Sequence, residues 1–244
     1  MISIGAGSPD VRTRWAPRPA VPRSFRRGEV VARGLVSIAA ALLVAVVLSG
    51  CAGGSPSFDP TGPCRVDGRA SGAYPTLEAL VPKSFDGRPP DHLDSGRNCT
   101  PANLGSLASH GVTEVRFAGG LWEEGKQSGV TLAVFEAGTP AGLTLQRDWL
   151  FEFYETGART ARSTDKIETS DLTVAGAAGR RLDTLNDESY QTIVVWQSAA
   201  PSILDVILIG SDVREVVTRA AHEARVKAAL AAFAAAPDGL SPSP

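Results

Sequence analysis

"YQTIVVWQSAAPSILDVILIG", Tyr190–Gly210, decides the fold. Two runs, Tyr190–Gln197 and Ser202–Gly210, are dense in β-branched and aromatic residues, and Ser198-Ala199-Ala200-Pro201 between them continues neither. Such a pair is expected to fold back as adjacent antiparallel strands. Asp205 interrupts the second run, on the same face as Ile203, Ile207 and Ile209. Burying a carboxylate alone is very costly, so Asp205 is expected at an exposed edge or beside a partner.

Working outward, Val112–Ala118 and Val130–Ala137 read as two further strands. The first alternates charged and apolar residues; the second is apolar on both faces and so belongs near the middle of a sheet. They are expected to form a hairpin whose polar tip is "GGLWEEGKQSG", Gly119–Gly129. Thr139-Pro140 has the N-cap and first-turn pattern of a helix over Ala141–Thr156, with Leu143, Trp149, Leu150, Phe153 and Tyr154 on one face. Asp171–Ala175 and Gly179–Thr184 flank a Gly-Ala-Ala-Gly bend and extend the run of strands. Tyr74–Val81 suggests a short helix, and Thr100-Pro101 opens another that Gly111 stops. Asp212 with Glu215 matches a capping box for a last helix that Pro237 ends. The expected fold class is α+β: an antiparallel sheet with helices packed on one face. The order hairpin, aromatic helix, meander, C-terminal helix over Val112–Ala235 resembles the PsbP-like fold of several actinobacterial lipoproteins. That resemblance is one of topology, rests on no motif, and carries over no site residues.

Charge is unevenly distributed. The 244 residues have a net charge of -2. Residues 1–50 hold seven arginines against Asp10 and Glu29, hence +5, which leaves 17 basic and 24 acidic residues, hence -7, for the remainder. An acidic domain does not suit nucleic acid, which needs a basic face. The basic leader precedes an apolar run, Leu35–Leu48, too short to span a bilayer comfortably and of signal-peptide length. Leu48-Ser49-Gly50-Cys51 follows it and resembles the lipobox of bacterial lipoproteins. That resemblance implies cleavage before Cys51 and a thioether-linked diacylglycerol on its thiol, with palmitate among the acyl chains. The region ahead of the apolar run is long for such a signal. Either translation starts near Val30 or Val31, or Ser24-Phe25-Arg26-Arg27 is a degenerate twin-arginine signal; the first fits better, because the arginine pair lacks apolar residues just after it.

The expected organisation is a leader and signal peptide over 1–50, a flexible Gly/Ser/Pro tether over 51–63, a single α+β domain over 64–236 and a disordered tail over 237–244. With Cys51 acylated, Cys64 and Cys99 remain as an even pair in an exported chain, which points to a disulfide across a Pro- and Gly-rich stretch. Asn98-Cys99-Thr100 fits a glycosylation acceptor by coincidence.

No catalytic constellation emerges. His92, His110 and His222 lack ligand spacing, so no metal site is expected, nor any cofactor. His222 lies among charged neighbours and reads as solvated, while His110 sits at a helix end. No serine has nucleophile-elbow context. Two residues suggest contact with a partner: Trp122, in the hairpin tip, and Arg116, projecting from a strand. The expected function is non-enzymatic: a lipoprotein held by its anchor on the extracytoplasmic face of the cell membrane, binding a small molecule, an envelope component or a membrane protein. The alternative is a sensory or accessory domain using the Trp122 loop, and a hydrolase built on Asp205 or His92 comes last.

Overall fold

The computed structural model describes residues 58–235, apart from 126–127, 140–141, 162–163, 187 and 216–217. The leader, the lipobox with Cys51, the start of the tether and the tail lie outside the described residues. Eight antiparallel strands form one sheet: β1 (Gly68–Ala70), β2 (His92–Asn98), β3 (Glu114–Glu123), β4 (Gly129–Thr139), β5 (Lys166–Val174), β6 (Ala177–Leu185), β7 (Ser189–Gln197) and β8 (Leu204–Asp212). Their spatial order is β1-β2-β3-β4-β8-β7-β6-β5. The helices are α1 (Pro75–Leu80), α2 (Pro101–Leu104), a 3₁₀ helix (Gly105–His110), α3 (Arg147–Thr160) and α4 (Arg219–Ala234). The chain has the expected α+β fold.

β7 and β8 pair as expected, from Ser189↔Asp212 to Gln197↔Leu204, and β8 takes β4 on its other side. Asp205 is therefore on an inner strand, not at an exposed edge, and its partners are neutral. It is 8% exposed and accepts hydrogen bonds from the side chains of Ser198 and Trp196. The turn between β5 and β6 sits at Ala175-Gly176, both with positive φ (47° and 85°), one step before the expected Gly-Ala-Ala-Gly bend. Two such residues match the right-handed twist of a two-residue hairpin.

The β3–β4 hairpin is longer than expected. Gly119–Glu123 belongs to β3, not to a loop, and pairs with Gly129–Ala133. Gly120 allows this: a Cβ there would lie 2.9 Å from the Trp122 ring. Trp122 is 0% exposed, its indole N–H donates to the Arg88 carbonyl at 2.9 Å, and Phe85 packs edge-on against it. Trp122 thus has no surface for a partner.

Two helix starts also differ. β4 runs to Thr139, so Thr139-Pro140 is no N-cap, and α3 starts at Arg147 after Gln146. Likewise Asp212 ends β8, buried and held by Arg214, while Thr218 caps α4 by accepting from the Ala221 N–H. In both places strand pairing takes residues whose local chemistry favours a helix cap, because a ladder bond is made at each pairing step and a cap only once.

The helices cover both faces, not one. Leu150 and Phe151 of α3 join Phe117, Phe135, Leu182 and Val206 in one core. On the opposite face Val226 and Ala229 of α4 pack with Trp122, Leu132, Val194 and Ile207, and Leu77 near α1's start packs with Ala118 and Val134. The inner strands require this. Leu132–Phe135 and Val206-Ile207 are buried on consecutive residues, which alternate between faces, so each side needs cover.

The Cys64–Cys99 disulfide is formed, with Cα atoms 6.0 Å apart. The expected tether is shorter than 51–63, because Phe58–Pro63 is held on the domain. The buried Arg97 guanidinium donates to the carbonyls of Asp59 and Gly62 at 2.6 and 2.7 Å. A buried, multiply donating guanidinium fixes backbone carbonyls that would otherwise be solvated.

Candidate functional site

A cavity of about 280 Å³ lies between the sheet, α3 and the 3₁₀ helix. Its floor comes from strand alternation: Leu182, Ile193 and Leu208 stand side by side across β6, β7 and β8, with Phe135 nearby on the same face. Helical spacing makes one wall, since Phe153, Tyr154, Gly157 and Ala158 fall on one side of α3. Gly157 deepens it; a Cβ there would meet nothing within 4 Å. Gly105 and Ser106 form part of the facing wall. Gly105 has φ of +51°, and its Cβ would stand 3.1 Å from the Phe153 ring, so only glycine allows this approach without strain.

Among the described residues the lining contains no Asp, Glu, Lys, Arg or His. Its polar groups are neutral. Asn98 and Asn103 stand at one part, Thr184 and Gln191 at another. Asn103 donates to Asp67 at 2.7 Å and Gln191 donates to Ser189 at 3.2 Å, so each still has hydrogen-bonding capacity. The Ser106 hydroxyl oxygen is buried without a partner among the described residues. Burial pushes the Tyr154 hydroxyl above the ordinary tyrosine pKa, so it remains a proton donor. At roughly 30 Å³ per heavy atom, the volume suits on the order of ten heavy atoms. The cavity fits an uncharged, mainly apolar group with one or two hydrogen-bonding atoms.

A second polar cluster lies under α4. His222 is 2% exposed, not solvated. Its Nδ1 is 2.8 Å from the Ser211 hydroxyl and its Nε2 is 2.8 Å from that of Thr192. Thr192 donates to Asp183, and Arg225 donates to Ser211. An arginine only donates and a carboxylate only accepts, so the ends order the chain: Arg225 to Ser211, Ser211 to Nδ1, Nε2–H to Thr192, Thr192 to Asp183. His222 is thereby a neutral Nε2–H tautomer, and burial lowers its pKa to about 4. Ser211 is fully buried, so this chain presents no accessible nucleophile; it fastens α4 to the sheet.

The sequence-selected residues are not brought together. Arg116 has its Nε 2.8 Å from Glu114 and its guanidinium over Tyr74, an internal cluster on the face opposite the cavity. His92 is exposed at 4.0 Å from Glu123, and His110 stacks on Trp149 and pairs with Glu152. Sequence patterning puts Phe153 and Tyr154 on one helix face with Leu150, which does not distinguish a cavity wall from a packed face. Three signals stood in the sequence: Gly157 inside a helical pattern, and polar Thr184 and Gln191 on the sheet face that carries Leu182 and Ile193.

No protein-family model matches the chain, and no curated protein matches it.

Proposed function

We propose that the protein is a non-enzymatic lipoprotein, anchored through Cys51 on the extracytoplasmic face of the cell membrane, that binds a small, uncharged, mainly apolar molecule. The observation that carries the binding reading is the cavity beneath α3, whose described lining residues are all uncharged. The lipobox resemblance of Leu48-Ser49-Gly50-Cys51, the preceding apolar run and its basic flank support the anchor. Burial of Trp122 removes the main support for a partner-docking or sensory loop.

Native mass spectrometry of protein taken from its own envelope tests the reading. A reproducible extra mass, lost on denaturation, is expected. Gly157→Leu should abolish it, because the new side chain enters the open space beside α3. The same change should leave stability unchanged or raise it by up to about 1 kcal/mol, since glycine is a poor helix former. A bare wild-type mass, or an adduct that survives Gly157→Leu, would count against this cavity as the binding site.

A further inference from the structure

Two polar side chains interrupt the apolar floor of the cavity, and they stand side by side. Thr184 of β6 is paired with Gln191 of β7 across the ladder, and both line the cavity. The next pair on the same face lies two residues along each strand, about 6.6 Å away at ~3.3 Å per residue. It is Leu182 and Ile193, with Leu208 of β8 beside Ile193.

The hydrogen bonds around Gln191 have a fixed direction. The backbone N–H groups of Glu188 and Ser189 reach one side-chain atom of Asn186, at 2.9 and 2.7 Å. A backbone N–H only donates, so that atom is the amide oxygen. The Ser189 hydroxyl lies 3.2 Å from the same oxygen and donates to it. Its only proton is thereby engaged, so Gln191 meets the Ser189 oxygen, at 3.2 Å, with its NH₂ group. Gln191 Oε1 is then turned to Thr184, whose hydroxyl donates to it at 3.4 Å.

The capacity left over defines what fits. Gln191 Nε2 keeps one N–H, and Thr184 Oγ1 keeps its lone pairs. A donor and an acceptor therefore lie together at the border of an apolar surface. An ether or a carboxylate only accepts, and leaves Thr184 Oγ1 unpaired. A hydroxyl or a carboxamide both accepts and donates, and satisfies the two together.

We propose that Thr184 and Gln191 select the occupant of the cavity: a small alcohol or carboxamide whose polar group accepts from Gln191 Nε2 and donates to Thr184 Oγ1, with its hydrocarbon body on Leu182, Ile193 and Leu208. This rests on the cavity being a binding site, as in the proposed function, and narrows the occupant from any uncharged molecule to one with a donating head group.

The test uses the full-length protein in lipid nanodiscs. It is titrated calorimetrically with n-nonanol and with its isomer methyl n-octyl ether, each within the size of on the order of ten heavy atoms that the cavity takes. Gly157→Leu protein in the same discs, with its cavity filled, is the blank for partition into lipid. The alcohol is expected to bind wild type at least about tenfold more tightly than the ether, because the ether leaves a polar group of the site unpaired. In the double variant Thr184→Val/Gln191→Leu the ratio should fall to about one; replacing both partners together by apolar groups of similar shape is a change that folded domains tolerate. Equal affinities in wild type, or a ratio that persists in the double variant, would overturn selection by Thr184 and Gln191 while leaving the cavity as a binding site. Heat no greater than the blank from either isomer would remove the cavity reading itself, and the selection with it. The wild-type comparison stands whether or not the double variant folds.

Discussion

Asp205→Asn is expected to stabilise the domain at pH 8 and to have far less effect at pH 4. Burial between β4 and β7 raises the Asp205 pKa from the ordinary 3.8 to about 7, against hydrogen bonds from Ser198 and Trp196 that favour the carboxylate. Between these two values the unfolded chain has lost its proton while the folded chain still holds it. The folded state then binds more protons, so stability falls as pH rises from about 4 to about 7. Three pKa units correspond to a loss of about 4 kcal/mol at most, at ~1.36 kcal/mol per unit. Asparagine has nearly the same shape and no charge. It accepts from one of the two donors and turns its amide to the Ser198 hydroxyl, which can rotate to receive it. The net gain at pH 8 is expected at about 1–3 kcal/mol, the remainder being lost to imperfect hydrogen bonding. Urea unfolding at pH 4.5, 6 and 8 measures it. An Asp205→Asn midpoint below wild type by the same amount at every pH would show that the carboxylate is ionised and satisfied in the folded state.

The same residue shows why the fold was more legible than the site. Asp205 was correctly seen as a problem on the isoleucine face of a strong strand, and the Tyr190–Gly210 hairpin around it paired as its apolar runs required. Its solution, two neutral donors on β7 and the following turn, depends on a register that composition does not state. Helix boundaries failed for a related reason. Thr139-Pro140 and Asp212-Glu215 carry cap chemistry, but β4 and β8 continue through Thr139 and Asp212 because partner strands are there to receive them. The second helical layer was hidden by composition: α4 presents His222, Val226 and Ala229, a face with little apolar bulk and a histidine flanked in sequence by charges. Helical spacing turns that histidine inward while Glu223 takes a different direction. A cavity is harder still to read, being a shortage of side-chain volume. Gly157 leaves the space and Gly105 lets the facing wall come up to Phe153, and neither announces a cavity alone.

His222→Gln should reveal the opposite pH slope to the one Asp205 imposes. Burial lowers the His222 pKa from 6.5 to about 4. Glu223 and Asp183 pull it upward, Arg181 and Arg219 push it down, and Arg225 is joined to it through Ser211. A second ring proton would point at a serine whose own proton already faces the ring, so protonation also costs a hydrogen bond. Between pH 6.5 and 4 the unfolded chain takes up a proton that the folded chain refuses, and stability falls as pH is lowered, by up to about 3 kcal/mol over the window. Asp205 adds stability over almost the same range as pH falls. The two groups touch β7 at Thr192 and Trp196, about 13 Å apart along the strand at ~3.3 Å per residue, so their contributions should add. Wild type is therefore expected to show a nearly flat stability profile from pH 4 to 6.5. In Asp205→Asn the histidine slope appears alone, and stability rises with pH. In His222→Gln the carboxylate slope appears alone, and stability falls with pH, whatever the substitution costs at a single pH. The double variant should be flat again. A His222→Gln profile parallel to wild type would mean that His222 titrates normally in the folded domain and that the Arg225–Ser211–His222–Thr192–Asp183 chain does not hold it neutral.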